Sequence, residues 1–226
     1  MTLAIHPPAY FPALHDTALL AHVDHFVLAD TFRYRQESFQ NRSKLRNAPG
    51  THEITIPLFG KPEGAPLRTV EIDTKGRWRE KHWRSFLYDY RSTMYFEYYQ
   101  DSLHAFYQRS WEMLADCICR SVELQADLFG LDTTLTRASA LPGAPDSYPA
   151  ILEAVEADTL VLPDGTAGGA DGAPRRRRFA FEHPTYHQNF DGFAPGVTAL
   201  DLLFNYGPEA RRPLLEAGTL HQEESP

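Results

Sequence analysis

Two short apolar runs, residues 3–5 (Leu-Ala-Ile) and 25–29 (HFVLA), bracket a helix-patterned stretch at 10–23. This order of strand, helix and strand constrains the fold more than any other feature of the chain. A crossover of that length joins neighbouring strands in parallel, and such connections are right-handed almost without exception. Two β-branched stretches, 52–59 (HEITIPLF) and 67–73 (LRTVEID), lie on either side of a Gly- and Pro-rich loop and read as two further strands. From Arg77 to Gly130 the pattern is helical. Trp83, Phe86, Leu87 and Tyr90 recur at spacings of three and four, followed by Leu103, Phe106, Tyr107, Trp111, Leu114 and Ile118. A break at 94–96 divides this region into two helices, and Gly130 supplies the stop. Beyond a turn cluster at 141–145 comes a flexible Gly/Arg-rich segment near 163–178, whose Arg175, Arg176, Arg177 and Arg178 read as a solvated surface. Residues 179–181 are expected to form the last strand and 197–205 the last helix, capped by Gly196 or Thr198. The tail is expected to fray. The expectation is an α/β fold: a mostly parallel sheet flanked by helices, with a long helical pair in the middle of the chain, forming a single domain across 1–226.

At 226 residues with a formal charge of −8, the chain can bury a sizeable core, but it lacks the overall basic charge that drives sequence-independent nucleic-acid binding, so no nucleic acid is expected. No apolar stretch approaches the roughly 20 residues that span a bilayer, so no membrane insertion is expected either. No basic and apolar leader opens the sequence, which points to a cytoplasmic location. Cys117 and Cys119 are two apart in a helical region, aim at different faces and read as ordinary thiols. The chain has no HExxH, paired CxxC, GxxxxGK[ST], GxGxxG or GxSxG signature. No metal site is expected, and neither a cofactor nor an oligomeric state can be read from the sequence.

Ligands of such sheets gather beyond the carboxyl ends of the strands, so the segments that follow strands are the place to look for chemistry. His6 follows the first strand and is stiffened by Pro7 and Pro8, which suits it to move a proton near neutral pH. The segment 33–46 after the second strand carries Arg33, Arg35, Arg42, Lys44 and Arg46, with Gln, Asn and Ser between them. It could hold phosphate or carboxylate through forked Arg contacts, with Arg35 and Arg42 binding the anion and Asn41 orienting an acceptor, or it could be a solvated surface loop. Lys81 and His82 lie near the start of the first long helix, where an anion would be attracted, or else Lys81 is a solvated charge of the helix surface and His82 a partly buried ring. Tyr186 and Gln188 follow the last expected strand. The candidate catalytic residues are therefore His6 and His82. Arg35, Asn41, Arg42, Lys81, Tyr186 and Gln188 are the candidate substrate-binding residues, and the expected partner is an anionic small-molecule substrate.

The order of residues 5–12 (IHPPAYFP), 26–30 (FVLAD), 38–42 (SFQNR), 55–58 (TIPL), Trp78 with Lys81 and His82, Tyr95 and Phe96, 186–188 (YHQ) and 200–209 (LDLLFNYGPE) resembles the WbqC-like protein family, over roughly residues 3–212. The resemblance implies a cytoplasmic α/β protein linked to bacterial surface polysaccharide, particularly O-antigen and lipopolysaccharide, biosynthesis. His6, Asn41, Arg42, Lys81, His82 and Tyr186 would stand at family-typical positions. The sequence departs from the family pattern at Pro7, Ala9 and Ala13, where Gln, Asn and Trp are usual, and around 160–172. Two functions stay open: a transferase building a glycoconjugate from an anionic sugar or nucleotide-linked precursor, and a non-catalytic binding or scaffolding module of such a pathway.

Overall fold

A computed structural model of the chain describes residues 1–166 and 175–222. The opening unit is β1 (Thr2–His6), α1 (Leu14–Ala21) and β2 (His25–Leu28), with β1 and β2 parallel. β1 is buried on both faces: Leu3 and Ile5 join one apolar cluster and Ala4 the other. A side-chain period of two forces this division, and it explains why the strand reads as an unbroken apolar run.

The six-stranded sheet is completed by β5 (Thr134–Arg137), β6 (Thr159–Pro163), β7 (Arg175–Phe181) and β8 (Gly218–Gln222), in the order β5-β2-β1-β6-β7-β8. Every neighbour pair is parallel except β7–β8. Ile151 and Leu152 of α5 (Tyr148–Val155) cover one face. The larger cluster, on the other face, takes in α1, α2 (Trp78–Tyr90), α3 (Phe96–Gln108), α4 (Leu114–Phe129), α6 (Leu200–Tyr206) and α7 (Arg211–Glu216). From β1 the chain crosses to β2 on one side, and from β6 it crosses to β7 on the other. The carboxyl ends of β1 and β6 therefore flank the point where the winding reverses, the usual ligand crevice of open α/β sheets.

The expected helical pair is three helices. The pattern from Leu103 to Ile118 runs through a break at Arg109, which is extended (φ −69°, ψ 148°), before α4 begins. Gly130 does stop α4, in the left-handed conformation at φ 62°. The stretch 67–73 is not a strand. It forms a 3-10 turn, Leu67–Thr69, with single bridges from Glu71 to Met113 and Ile72 to Leu58. The strand expected at 52–59 is β4 (Gly50–Thr55), which ends before Pro57 because proline has no amide hydrogen for a ladder. Its partner is β3 (Arg42–Asn47), so half of the basic segment is an antiparallel ribbon and not a loop.

Arg175–Arg178 are likewise ladder residues, at the start of β7, and β8 follows as the last strand. The part of the expected flexible segment at 167–174, and the tail at 223–226, lie outside the described residues. Cys117 and Cys119 are free and buried, and burial pushes both thiols up, away from the reactive thiolate.

Candidate functional site

Beyond the carboxyl ends of β1 and β2 lies a cleft of about 710 Å³, within the range of small-molecule sites. His6, the last residue of β1, forms part of its wall. The His6 Nδ1 is 2.8 Å from the carbonyl oxygen of Pro7. A carbonyl only accepts, so a proton on Nδ1 makes this contact, and in the neutral ring that tautomer leaves the lone pair on Nε2. Past the prolines the chain turns sharply at Phe11, whose φ of 41° is rare for a side chain of its size. Ser121 Oγ accepts from the Phe11 amide at 3.1 Å and Ser43 Oγ donates to its carbonyl at 2.9 Å, which holds that turn in place.

The turn brings the first turn of α1, with Asp16, back to the same cleft. Burial alone would push the Asp16 carboxyl up, but a hydrogen bond from His15 at 3.3 Å, with the His6 and His15 rings nearby, holds it below the ordinary carboxylate range.

The opposite wall is the loop between β2 and β3. Gln40 Oε1 accepts from the Arg35 amide at 2.8 Å, Ser38 Oγ donates to the Arg35 carbonyl at 2.6 Å, and the Tyr10 amide donates to the Phe39 carbonyl at 3.1 Å. These bonds fix the loop against the segment after β1 and set Arg35 on the cleft. The Arg35 guanidinium forms no ion pair among the described residues, whereas Arg33 donates to the Gly64 carbonyl at 2.7 Å.

A third wall comes from far along the chain. Asp30, just after β2, accepts from the Ser139 amide at 2.8 Å, and Thr31 Oγ1 donates to the Pro145 carbonyl at 2.6 Å. These contacts carry Asp146 and Tyr148 to the rim, where the Tyr148 ring meets Phe32 edge-on at 5.3 Å. Phe39 lines the same cleft with 45% of its surface exposed.

Of the eight residues singled out from sequence, the structure brings two together in this cleft, His6 and Arg35. His82 is 4% exposed, with Nδ1 3.1 Å from the Tyr10 hydroxyl, which also meets the Tyr107 hydroxyl at 2.6 Å. Burial lowers His82 to about 4, against an opposing hydrogen bond to the Thr55 backbone, so it is a neutral core ring.

Asn41 is buried and locks the end of the ribbon: its Nδ2 donates to the Ile56 carbonyl at 3.0 Å. Arg42 donates to the Gln36 carbonyl and lies 3.6 Å from Glu53 across the ribbon. Tyr186 and Gln188 donate to Asp201 at 2.8 and 3.0 Å in a buried cluster, where Gln188 also accepts from Arg46 at 3.1 Å. Lys81 lines a separate cleft between α2 and the ribbon.

Asp16, Asp146 and Tyr148 were not legible as site residues. A Ser147-Tyr148-Pro149 helix-start signal would have located α5, but nothing local reports that its entrance packs on Phe32. Among the described residues, no group of three or more His, Cys, Asp or Glu could hold a metal ion, and no helix is long and apolar enough to cross a membrane.

Comparison with known proteins places this geometry beside few others. A Mycobacterium tuberculosis (strain ATCC 25618 / H37Rv) protein described as uncharacterized protein Rv1507c is 26% identical over 220 residues, spanning 92% of this chain and 95% of that one. No solved structure matches significantly. The family model described as WbqC-like protein family matches residues 7–213.

Proposed function

The chain belongs to the WbqC-like protein family, and from that premise we propose that it is a group-transfer enzyme of bacterial surface polysaccharide biosynthesis. Its substrate would be an anionic sugar or nucleotide-linked precursor bound in the His6 cleft. The observation that carries this reading is the placement of His6, whose Nδ1 lies 2.8 Å from the Pro7 carbonyl, on a cleft that Arg35 also lines without an ion-pair partner among the described residues.

In this reading Arg35 holds the phosphate charge by forked contacts. Phe32, Phe39 and Tyr148 offer flat faces and edges to a sugar or base ring. His6 Nε2 takes the proton of an acceptor hydroxyl as its oxygen bonds to the transferred sugar carbon. The bond from that carbon to the phosphate oxygen breaks, and the phosphate leaves with the electron pair, its charge met by Arg35. Asp16, whose charge already interacts with His6, provides the counter-charge for the protonated ring.

Turnover assays over a panel of nucleotide sugars and acceptor glycans test the reading. H6Q should lower kcat by about 10²–10⁴ while leaving binding nearly intact. R35A should weaken binding by roughly 10–100-fold. Unchanged turnover in both variants would remove the proposed roles.

One observation favours a second reading, a non-catalytic module that holds such a precursor for other enzymes. Pro7 and Ala9, beside His6, give that wall of the cleft no polar side chain with which to orient a reacting group. Binding without turnover across the panel would select it.

A further inference from the structure

A second cleft of about 750 Å³ lies between α2 and the β3–β4 ribbon, and nothing in the reading of the His6 site uses it. Lys81, Arg84 and Arg91 line it at spacings that follow one face of α2 into the residue that caps it. Among the described residues none of the three forms an ion pair or a side-chain hydrogen bond. Lys81 and Arg84 stand one helical turn apart and Arg91 two turns further along the same face, and an anion bound in the cleft would be attracted to this row of positive charge.

The inner wall has the opposite need. Asp89 is 2% exposed, and its Oδ2 has no hydrogen-bond donor; the nearest group is His52 Nδ1, 3.6 Å away. Asn47, also lining the cleft, holds a buried Oδ1 with no donor while its Nδ2 contacts His52 Nδ1 at 3.1 Å. Buried acceptors left without donors cost about 1–3 kcal/mol each, and such groups nearly always find a partner. Desolvation holds the Asp89 carboxyl up at about 6, as expected for a carboxyl waiting for one.

We propose that this cleft is a second ligand site that takes a phosphorylated sugar, its phosphate on Lys81, Arg84 and Arg91 and its hydroxyls donating to Asp89 and Asn47. Neither half of the site suffices alone for that ligand class. Free phosphate carries no hydroxyls apart from the charged centre itself to reach Asp89 and Asn47 while its charge sits on the cations, and a neutral sugar brings no charge for them. The site stands on different residues from the His6 cleft and does not depend on how that cleft is read.

Calorimetric titration of the full chain with glucose 1-phosphate, glucose and inorganic phosphate provides the test. Titrated into R35A, which removes the cation of the other cleft, glucose 1-phosphate should still bind at one site, whose affinity falls at least tenfold when R84A/R91A is added and roughly tenfold when D89N is added. R84A/R91A alters only exposed positions, so the double variant remains informative if D89N fails to fold. The proposal is overturned if glucose 1-phosphate does not bind, if inorganic phosphate or glucose binds as tightly, or if R35A abolishes the binding that R84A/R91A leaves intact.

Discussion

The two histidines that sequence reasoning placed together illustrate how much a ring's surroundings decide. His6 is anchored through one nitrogen by its neighbour's carbonyl and lines a cleft, while His82 has its Nδ1 against the buried Tyr10 hydroxyl and is closed off from solvent. Their residue types and helix or strand positions were legible. What was not legible is that Trp78, Tyr10 and Tyr107 surround His82, because those contacts join residues separated by up to 72 positions.

The depressed value of His82 has a thermodynamic consequence. The folded state holds this ring neutral down to about pH 4, whereas the unfolded chain protonates it near 6.5. Its contribution is therefore fully present above pH 6.5 and is lost as pH falls from there toward 4, by on the order of 3 kcal/mol. Asp201 and Asp89, both raised by burial to about 6, act in the opposite direction, losing stability as pH rises from about 4 to 6, so the wild-type profile alone mixes the three. Urea unfolding of wild type and H82Q at pH 7.5 and 4.5 isolates His82. The stability advantage of wild type should shrink by most of that amount at the lower pH, and a gap independent of pH would refute the assignment.

At the scale of elements, legibility followed how local the determining forces are. The β1-α1-β2 unit was readable because both strands are apolar on both faces and the helix shows its own period. The ribbon was hidden by its own side chains: 42–47 carries three cations and reads as surface, yet Ser43, Leu45 and Arg46 are buried, and the backbone pairs with β4 along its length. The Arg run of β7 does face solvent, with Arg175 and Arg176 exposed, but its backbone is part of the sheet. Its ladder partners lie in β6 and β8, and the Arg177 and Arg178 heads reach the Leu220 and Thr166 carbonyls at 3.1 and 2.9 Å.

The end of α6 was readable from Gly207, which adopts φ 59° there. Its role is also steric, since a Cβ at 207 would lie 2.5 Å from the Tyr95 ring, whose backbone amide bonds the Phe204 carbonyl at 3.0 Å. G207A should therefore cost at least ~2 kcal/mol, from the left-handed backbone and the clash together. A thermal melt within 1 °C of wild type, taking a loss of this size to lower Tm by about 4 °C or more, would show that the junction is not as tight as described.

For the whole molecule, the order β5-β2-β1-β6-β7-β8 is what turns scattered residues into a site. The cleft opens beyond the carboxyl ends of β1 and β2, next to the point between β1 and β6 where the winding reverses. The β2–β3 loop and the entrance to α5 then wall it with Arg35, Phe39 and Tyr148, residues more than 100 positions apart. Sequence order could direct attention to the ends of strands but could not say which distant segment closes each wall. That is why Arg35 shares the cleft with His6 while Arg42, four residues from the beginning of the Arg46 cluster, turns to Glu53 instead.

The most direct measurement of the central claim is a thermal-shift panel of nucleoside diphosphate sugars against wild type, R35A and R84A/R91A. A ligand present at about 100 times its Kd stabilises the folded chain by about 2.7 kcal/mol. The account predicts that at least one member raises the Tm of wild type and of R84A/R91A alike, and that R35A abolishes the rise. A panel that leaves wild type unmoved, or one in which every rise survives in R35A, would contradict it.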